Sequence, residues 1–359
     1  MTVTIANSES RHQQRRLTIG HWRRGLLDSP TNVAISLAFV VAAVWLGLPL
    51  ARWLIGDASF MGGAAACAVR SGACWAFIGE KWRYILLGSY PIDRSWRPAL
   101  ACFLLIGVLV LACLPCFWRR QFAYTGLITL VAAATVMSGA PGPLVSTEQW
   151  GGLPVTLMLS IASFAGAFPL ATCLALGRLS DRAGIRWLAT GFIEIVRGVP
   201  LISLLYMATL LFPLMLPTGA SIDKFLRAAA ALTMFVAAYL AEIIRAGLQS
   251  VPRGQYEAAL SVGLSGRQAM LLVVLPQALR SVIPPMVNLA TGIFQDTTLV
   301  VIIGMFDLLN TARAAASDPH WLGFYTESFA FVAMIYFGFC FSLSRYSLWL
   351  EERFGQRRR

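Results

Sequence analysis

Charge is scarce in this chain. Only 13% of its 359 residues are Asp, Glu, Lys or Arg, against about 25% in soluble domains. Lysine is the rarest of the four, with two copies, Lys81 and Lys224. Neither follows a glycine, so the Gly-Lys-Ser/Thr end of a phosphate-cradling loop is missing. The chain therefore carries no ATP-hydrolysing P-loop of its own. Histidine is nearly as rare, and His12, His21 and His320 all fall outside the apolar runs. No His-Glu-x-x-His pair and no Cys/His spacing suits zinc, so no metal site is expected. Catalysis by a Ser–His pair inside an apolar run would have His320 alone to draw on.

What the chain has is apolar residues, 57% of the total, in long runs. A membrane span needs about 20 mostly apolar residues. Eight candidate spans follow: Asn32–Leu50, Ala99–Phe117, Phe122–Ser138, Leu153–Leu176, Leu188–Leu211, Leu226–Ile244, Val282–Gly304 and Ser328–Leu348. The expected fold class is an all-α integral membrane protein. The first run follows some thirty polar, Arg-rich residues and is too long for a signal-peptide core, so no cleaved signal is expected.

The net charge is +12. Nucleic-acid binding is one reading of such a balance. Retention of basic loops on the cytoplasmic side is the better one. With the N-terminus inside, the inner segments hold 19 Lys/Arg and the outer loops nine, six of them in the long loop 52–97. Both termini are thus expected in the cytoplasm. Cys102, Cys113, Cys116, Cys173 and Cys340 lie in spans and read as packing residues. Cys67 and Cys74 lie in the outer loop. They are either a disulfide in an oxidising compartment or two free thiols.

Composition divides the chain further. A cytoplasmic tail (1–31) leads into three spans with the outer loop (32–149). The Gly/Pro-rich stretch "SGAPGPLVSTEQWGG" reads as a linker. Residues 150–350 carry nearly all the polar groups inside spans, and 351–359 form a basic tail. The boundary is expected near Trp150.

The segment 250–280 is polar between two apolar runs. Ser250-Val251-Pro252 fits a helix start, since proline is tolerated in a first turn. Gly263 sits where that helix would stop. Ser265 with Gln268 forms a capping-box pattern for a second helix reaching Pro276. Ala258 and Ala259 offer a close-packing face. An amphipathic loop on the bilayer surface would not explain the full spacing, E-A-A-x(3)-G-x(9)-V-x-L-P. That spacing resembles the cytoplasmic motif of permease subunits of binding-protein-dependent ABC importers. The match covers Glu257, Ala258, Ala259, Gly263, Leu275 and Pro276, with Val273 in place of Ile. "FIEIVRGVPLISLLYMATLLFPLMLP" (192–217) and "GIFQDTTLVVIIGMFDLL" (292–309) look like the polar amino-acid permeases of that superfamily. Leu204-Leu205 departs from it, where many such permeases carry Gln. The three extra spans and "GACWA" look like the larger subunit of general L-amino-acid systems.

The resemblance implies a five-helix type I importer core with a coupling helix. It implies a homologous second permease, an ATPase dimer that binds ATP and Mg, and an extracytoplasmic amino-acid-binding protein. It places the chain in the bacterial inner membrane as a non-catalytic subunit without a cofactor of its own.

Within the spans, Glu194 and Arg197 share a helix face. Ionisable residues there are functional candidates; they either form an internal pair or line the substrate route. Glu242 and Arg245 repeat the spacing near a span end. Gln295, Asp296, Thr297 and Thr298 cover every face of a helix, so some must face a cavity or another helix. An ion-driven transporter would also carry midplane acids, but it gives no reason for the hairpin.

Overall fold

The computed structural model describes residues 29–355 except 70, 116–119, 141, 216 and 218–221. Cys116, Arg119, most of the N-terminal tail and the last four residues lie outside this range. The chain forms two compact units, Met1–Phe77 and Ile78–Arg359.

In the first unit, α1 (Pro30–Ala51) starts with proline in its first turn and runs on into a π turn, Arg52–Gly56. It is apolar on every side, as a lipid-solvated helix should be. The loop beyond folds back on its end. Trp75 Nε1 donates to Leu54 O at 2.8 Å, and Ala73 N to Trp53 O at 2.8 Å. The short helix α2 (Ala64–Ala68) carries Cys67, whose sulfur is joined to that of Cys74 across a Cα–Cα distance of 5.6 Å.

Helix α3 (Trp75–Leu87) crosses the unit boundary. The second unit continues with α4 (Trp96–Cys113), α5 (Arg120–Ser138) and α6 (Gly152–Arg178). Ala101 and Leu105 of α4, Ala133 and Met137 of α5, and Leu157 of α6 belong to one buried apolar cluster. Tyr90 OH donates to Met137 O at 2.8 Å. The division into compact units falls at Phe77, and the compositional boundary expected near Trp150 lies within the second of them. Side chains from both sides of Trp150 interdigitate, and a linker-like composition does not reveal that.

Helix α7 (Ala183–Gly198) and α8 (Leu201–Met215) meet at a 102° bend. Pro200 lacks an N–H and pushes Val199 into extended backbone. Then follow α9 (Lys224–Ser250), α10 (Arg253–Ser261), the single turn α11 (Gly266–Gln268), α12 (Leu275–Ser281) and α13 (Ile283–Asp296). A two-residue strand (Phe306–Asp307), α14 (Leu308–Ala315) and α15 (Tyr325–Gly355) complete the unit.

Helices α6 and α9 form its spine. Ala167, Ala171 and Ala175 are buried with Val236, Ala237, Leu240, Ala241 and Ile244. Small residues let helices approach closely where lipid offers no hydrophobic driving force. Near the end of α9, a Cβ on Gly247 would lie 2.5 Å from Val282 Cγ1 and 2.9 Å from Ala278 O, so the approach of α9 to α12 also requires a small residue.

Among the described residues, six helices are long and apolar enough to span a membrane, or seven if the bent α7–α8 pair counts as one. The sequence pattern suggested eight. The shortfall is α5, whose described apolar part is Tyr124–Ser138. Fifteen residues rise about 22 Å, short of the roughly 30 Å hydrocarbon core.

Candidate functional site

The hairpin after α9 is built as its residues dictate. Pro252 precedes α10, and the helix stops at Gly263 with φ +87°. No atom lies within 4 Å of where a Cβ would stand, so it is the left-handed backbone and not space that calls for glycine. Gly263 N donates to Leu260 O at 2.9 Å and Leu264 N to Ala259 O at 3.2 Å, closing the helix end. Ser265 opens α11 with a reciprocal capping box: its N donates to Gln268 Oε1 at 2.9 Å, and its hydroxyl accepts from Gln268 N at 3.4 Å. A π turn, Ala269–Val274, precedes α12, whose first turn holds Pro276. Proline cannot donate four residues back, so the helix widens there. Gln277 Nε2 donates to Gln255 Oε1 at 3.1 Å and ties the two arms.

The expected alanine pair divides its work. Ala259 is buried against the protein, while Glu257 and Ala258 are exposed. Val273 and Leu275 are half-buried and Pro276 is exposed. Val262 is 77% exposed and Leu272 65%. Glu257, Val262 and Leu272 are thus all exposed on a short and well-capped hairpin.

A charged network lies nearby. Arg178, at the C-terminal end of α6, is paired with Glu242 of α9 and reaches Glu194 of α7 at 2.9 Å. Arg245 returns to Glu242 at 2.9 Å and donates to Gln249 at 2.8 Å. Glu194 and Arg197 do lie on one exposed face, but each finds its partner on another helix. The Arg197 guanidinium sits 5.4 Å above the Tyr239 ring, a cation–π contact.

The polar run at the end of α13 is spread around the helix. Gln295 is exposed and Asp296 half-buried. Thr297 is fully buried and donates to Phe294 O at 2.9 Å. Asn310 Nδ2 donates to the Thr298 carbonyl at 2.9 Å. The backbone continues as a 3-10 helix, Thr297–Ile303, stopped by Gly304 in the left-handed region.

Sequence reasoning passed over a second polar group, centred on Asp307. This buried carboxylate caps α14, accepting from Asn310 N at 3.0 Å and Leu309 N at 3.1 Å. Tyr336 OH of α15 donates to it at 3.1 Å, and Leu308 N donates to Thr156 Oγ1 of α6 at 3.1 Å. Burial pushes the Asp307 carboxyl up, against the downward pull of the bonds from Asn310, Leu309 and Tyr336. An Asp just after a glycine stop and before an apolar stretch is an N-cap signal, and it could have been found.

Comparison with known proteins agrees with this geometry. The family model described as "Binding-protein-dependent transport system inner membrane component" matches residues 167–356. The inner membrane amino-acid ABC transporter permease protein YhdY of Escherichia coli K12 is 43% identical over 341 residues, covering 93% of this chain and 92% of that protein. The glutamate/glutamine/aspartate/asparagine transport system permease protein BztC of Rhodobacter capsulatus is 35% identical over 400 residues, covering 92% of each. A crystal structure of an amino acid ABC transporter with histidines is 32% identical, with a TM-score of 0.50, and covers 56% of this chain and 92% of that one. With the match running through the hairpin and both polar segments, the chain belongs to the family of inner membrane components of binding-protein-dependent transport systems.

Proposed function

We propose that this chain forms half of the translocation pathway of an ATP-driven amino-acid importer. The observation that carries this reading is the capped hairpin 250–280. It presents Glu257, Ala258 and Val262 outward in a chain that lacks a P-loop. A separate ATPase dimer, holding ATP and Mg, receives this surface and moves the spans through it. A homologous second permease supplies the other half of the route, and an extracytoplasmic binding protein delivers the amino acid.

In this reading the topology has eight spans: α1, α4, α5, α6, the α7–α8 pair, α9, α13 with its 3-10 extension, and α15. Both termini are cytoplasmic. Residues 32–149 are an extension of a type I importer core spanning 150–350. The Cys67–Cys74 bridge suits the oxidising outer side. Arg197 offers a planar, permanently charged fork to a substrate carboxylate. Glu194 and the Gln295–Thr298 run supply acceptors and hydroxyls from other elements.

The test is reconstitution of the full complex in liposomes. Uptake of an amino acid should require ATP inside the reaction, the ATPase and the binding protein. Uptake driven by an ion gradient, with the ATPase left out, would refute the proposal and favour a secondary transporter.

A further inference from the structure

Helix α14 is short, yet it is bonded to four other parts of the second unit. The Thr156 hydroxyl of α6 holds its first N–H, and Tyr336 of α15 holds its capping carboxylate. The third bond is from Asn310 to the carbonyl of Thr298, inside the polar run. The fourth leads to the extension. Thr311 Oγ1 lies 2.7 Å from Ile85 O, closer than its 2.9 Å approaches to Asp307 O and Leu308 O. Thr311 is 1% exposed. A hydroxyl has one proton to give, and the shortest acceptor is on α3. That carbonyl belongs to the last turn of α3, where helix carbonyls have no partner of their own.

The same two segments are clamped at a second place. Lys81 Nζ donates to Asp318 Oδ2 at 2.7 Å, and Trp321 Nε1 donates to Glu80 Oε1 at 2.9 Å. The end of α3 also comes close to the start of α6: a Cβ on Gly88 would stand 2.6 Å from Gly151 Cα, and one on Gly152 would stand 2.3 Å from Leu86 O. Glu80, Lys81 and Ile85 of the extension are therefore seated on α14 and the segment after it, and residues 86–88 on the start of α6. From there one bond, Asn310 to Thr298, reaches the polar run.

We infer that the extension positions the Gln295–Thr298 segment through α14, with Thr311, Asn310 and Lys81 as positioning residues. This rests on the reading of that segment as part of the substrate route. The thread from Ile85 O to Thr311, across one peptide bond to Asn310, and on to Thr298 O fixes where the polar run sits. The extension thereby has a task inside the transport cycle and is more than an added anchor.

The experiment compares amino acid moved per ATP hydrolysed in the reconstituted complex. Thr311→Val keeps the side-chain shape and removes the hydroxyl. The ratio should fall about five-fold, the loss expected for one hydrogen bond, with complex yield and ATPase rate held. Thr311→Ser keeps the hydroxyl and should restore the ratio. Lys81→Gln weakens the same seat from the surface and should lower the ratio in the same direction. If Thr311→Val yields no complex, Lys81→Gln decides. An unchanged ratio in Lys81→Gln or Thr311→Val overturns the inference. So does a fall in yield and uptake in proportion, because that marks a structural role alone. Asp296→Asn separates this claim from the one beneath it. Normal uptake in Asp296→Asn removes the segment from the route, and the positioning claim falls with it. Altered uptake in Asp296→Asn beside normal ratios in the other variants removes the positioning claim only.

Discussion

Arg178 and Arg197 are both arginines near the α7 face, and they meet different partners. Arg178 is held between two carboxylates, Glu194 and Glu242, on two different helices. Its loss leaves Glu242, whose side chain is 17% exposed, with one ion pair, to Arg245. Arg178→Ala should therefore lower stability by about 2 kcal/mol, read as a lower denaturation midpoint of the purified complex. Arg197 rests on an aromatic ring, and in the proposed function its guanidinium receives a substrate carboxylate. Arg197→Ala should abolish uptake with complex yield and intrinsic ATPase rate intact. A fall in yield matching that of Arg178→Ala would make Arg197 structural instead. The sequence made half of this visible. Three-residue spacing put Glu194 and Arg197 on one face, but no local rule shows that their partners are Arg178 and Tyr239 on other helices.

Asp318 gives a pH prediction at the same scale. Its hydrogen bond from Lys81 holds the carboxyl low, from 3.8 down to about 2. A carboxylate with a depressed folded value contributes stability above its unfolded value and loses it as pH falls through the folded one. Wild type and Asp318→Asn should therefore differ by a constant amount between about pH 5 and pH 8. Their unfolding midpoints should converge only as pH drops from 3.8 toward about 2. Convergence near neutral pH would show that the Lys81 contact does not form in solution.

At the scale of elements, the hairpin was legible because its punctuation is local. Pro252, Gly263, Ser265 and Gln268 each act within a turn of their own position. The division between buried Ala259 and exposed Ala258 was not legible, since it depends on what α10 packs against. Nor was the π turn, although Pro276 supplies its cause. The bend at Val199–Pro200 was written in the sequence, yet a hydropathy run passes through it as one span. Gly263 provides the prediction here. A non-glycine residue at φ +87° costs about 1–2 kcal/mol, with Asn the best tolerated. Gly263→Asp adds strain and a charge at the docking surface, so it should abolish co-purification of the ATPase while the permease still inserts. Gly263→Asn should keep most of the ATPase bound. Equal loss in both variants would mean that backbone conformation, and not the added charge, governs the contact. Retention in both would remove the hairpin from the interface.

At the scale of the whole molecule, composition and packing divide the chain at different places. Composition changes near Trp150, where few charges and many Gly and Pro residues look like a linker. Packing changes at Phe77. Tyr90, Ala101, Leu105, Ala133 and Met137 precede Trp150, yet they are buried in one cluster with Val155, Leu157 and Met158. Thr311 and Asp318 find their partners at Ile85 and Lys81. Such contacts are set by which helix faces meet, and a one-dimensional pattern does not hold that information. Two truncations decide between the boundaries. Chains starting at Ile78 and at Trp150 both begin on the outer side in the proposed topology, so the same cleavable signal sequence can replace what precedes each. The longer chain keeps the shared cluster and the α3 seat on α14. It should assemble with its partners at near the full-length yield on size exclusion. The shorter chain exposes Leu157, Met158 and the underside of α14, and it leaves the Thr311 hydroxyl without Ile85. It should aggregate or fail to assemble. Equal yields from the two would mean that the α4–α5 hairpin only leans on the core, and that the boundary belongs at Trp150 after all.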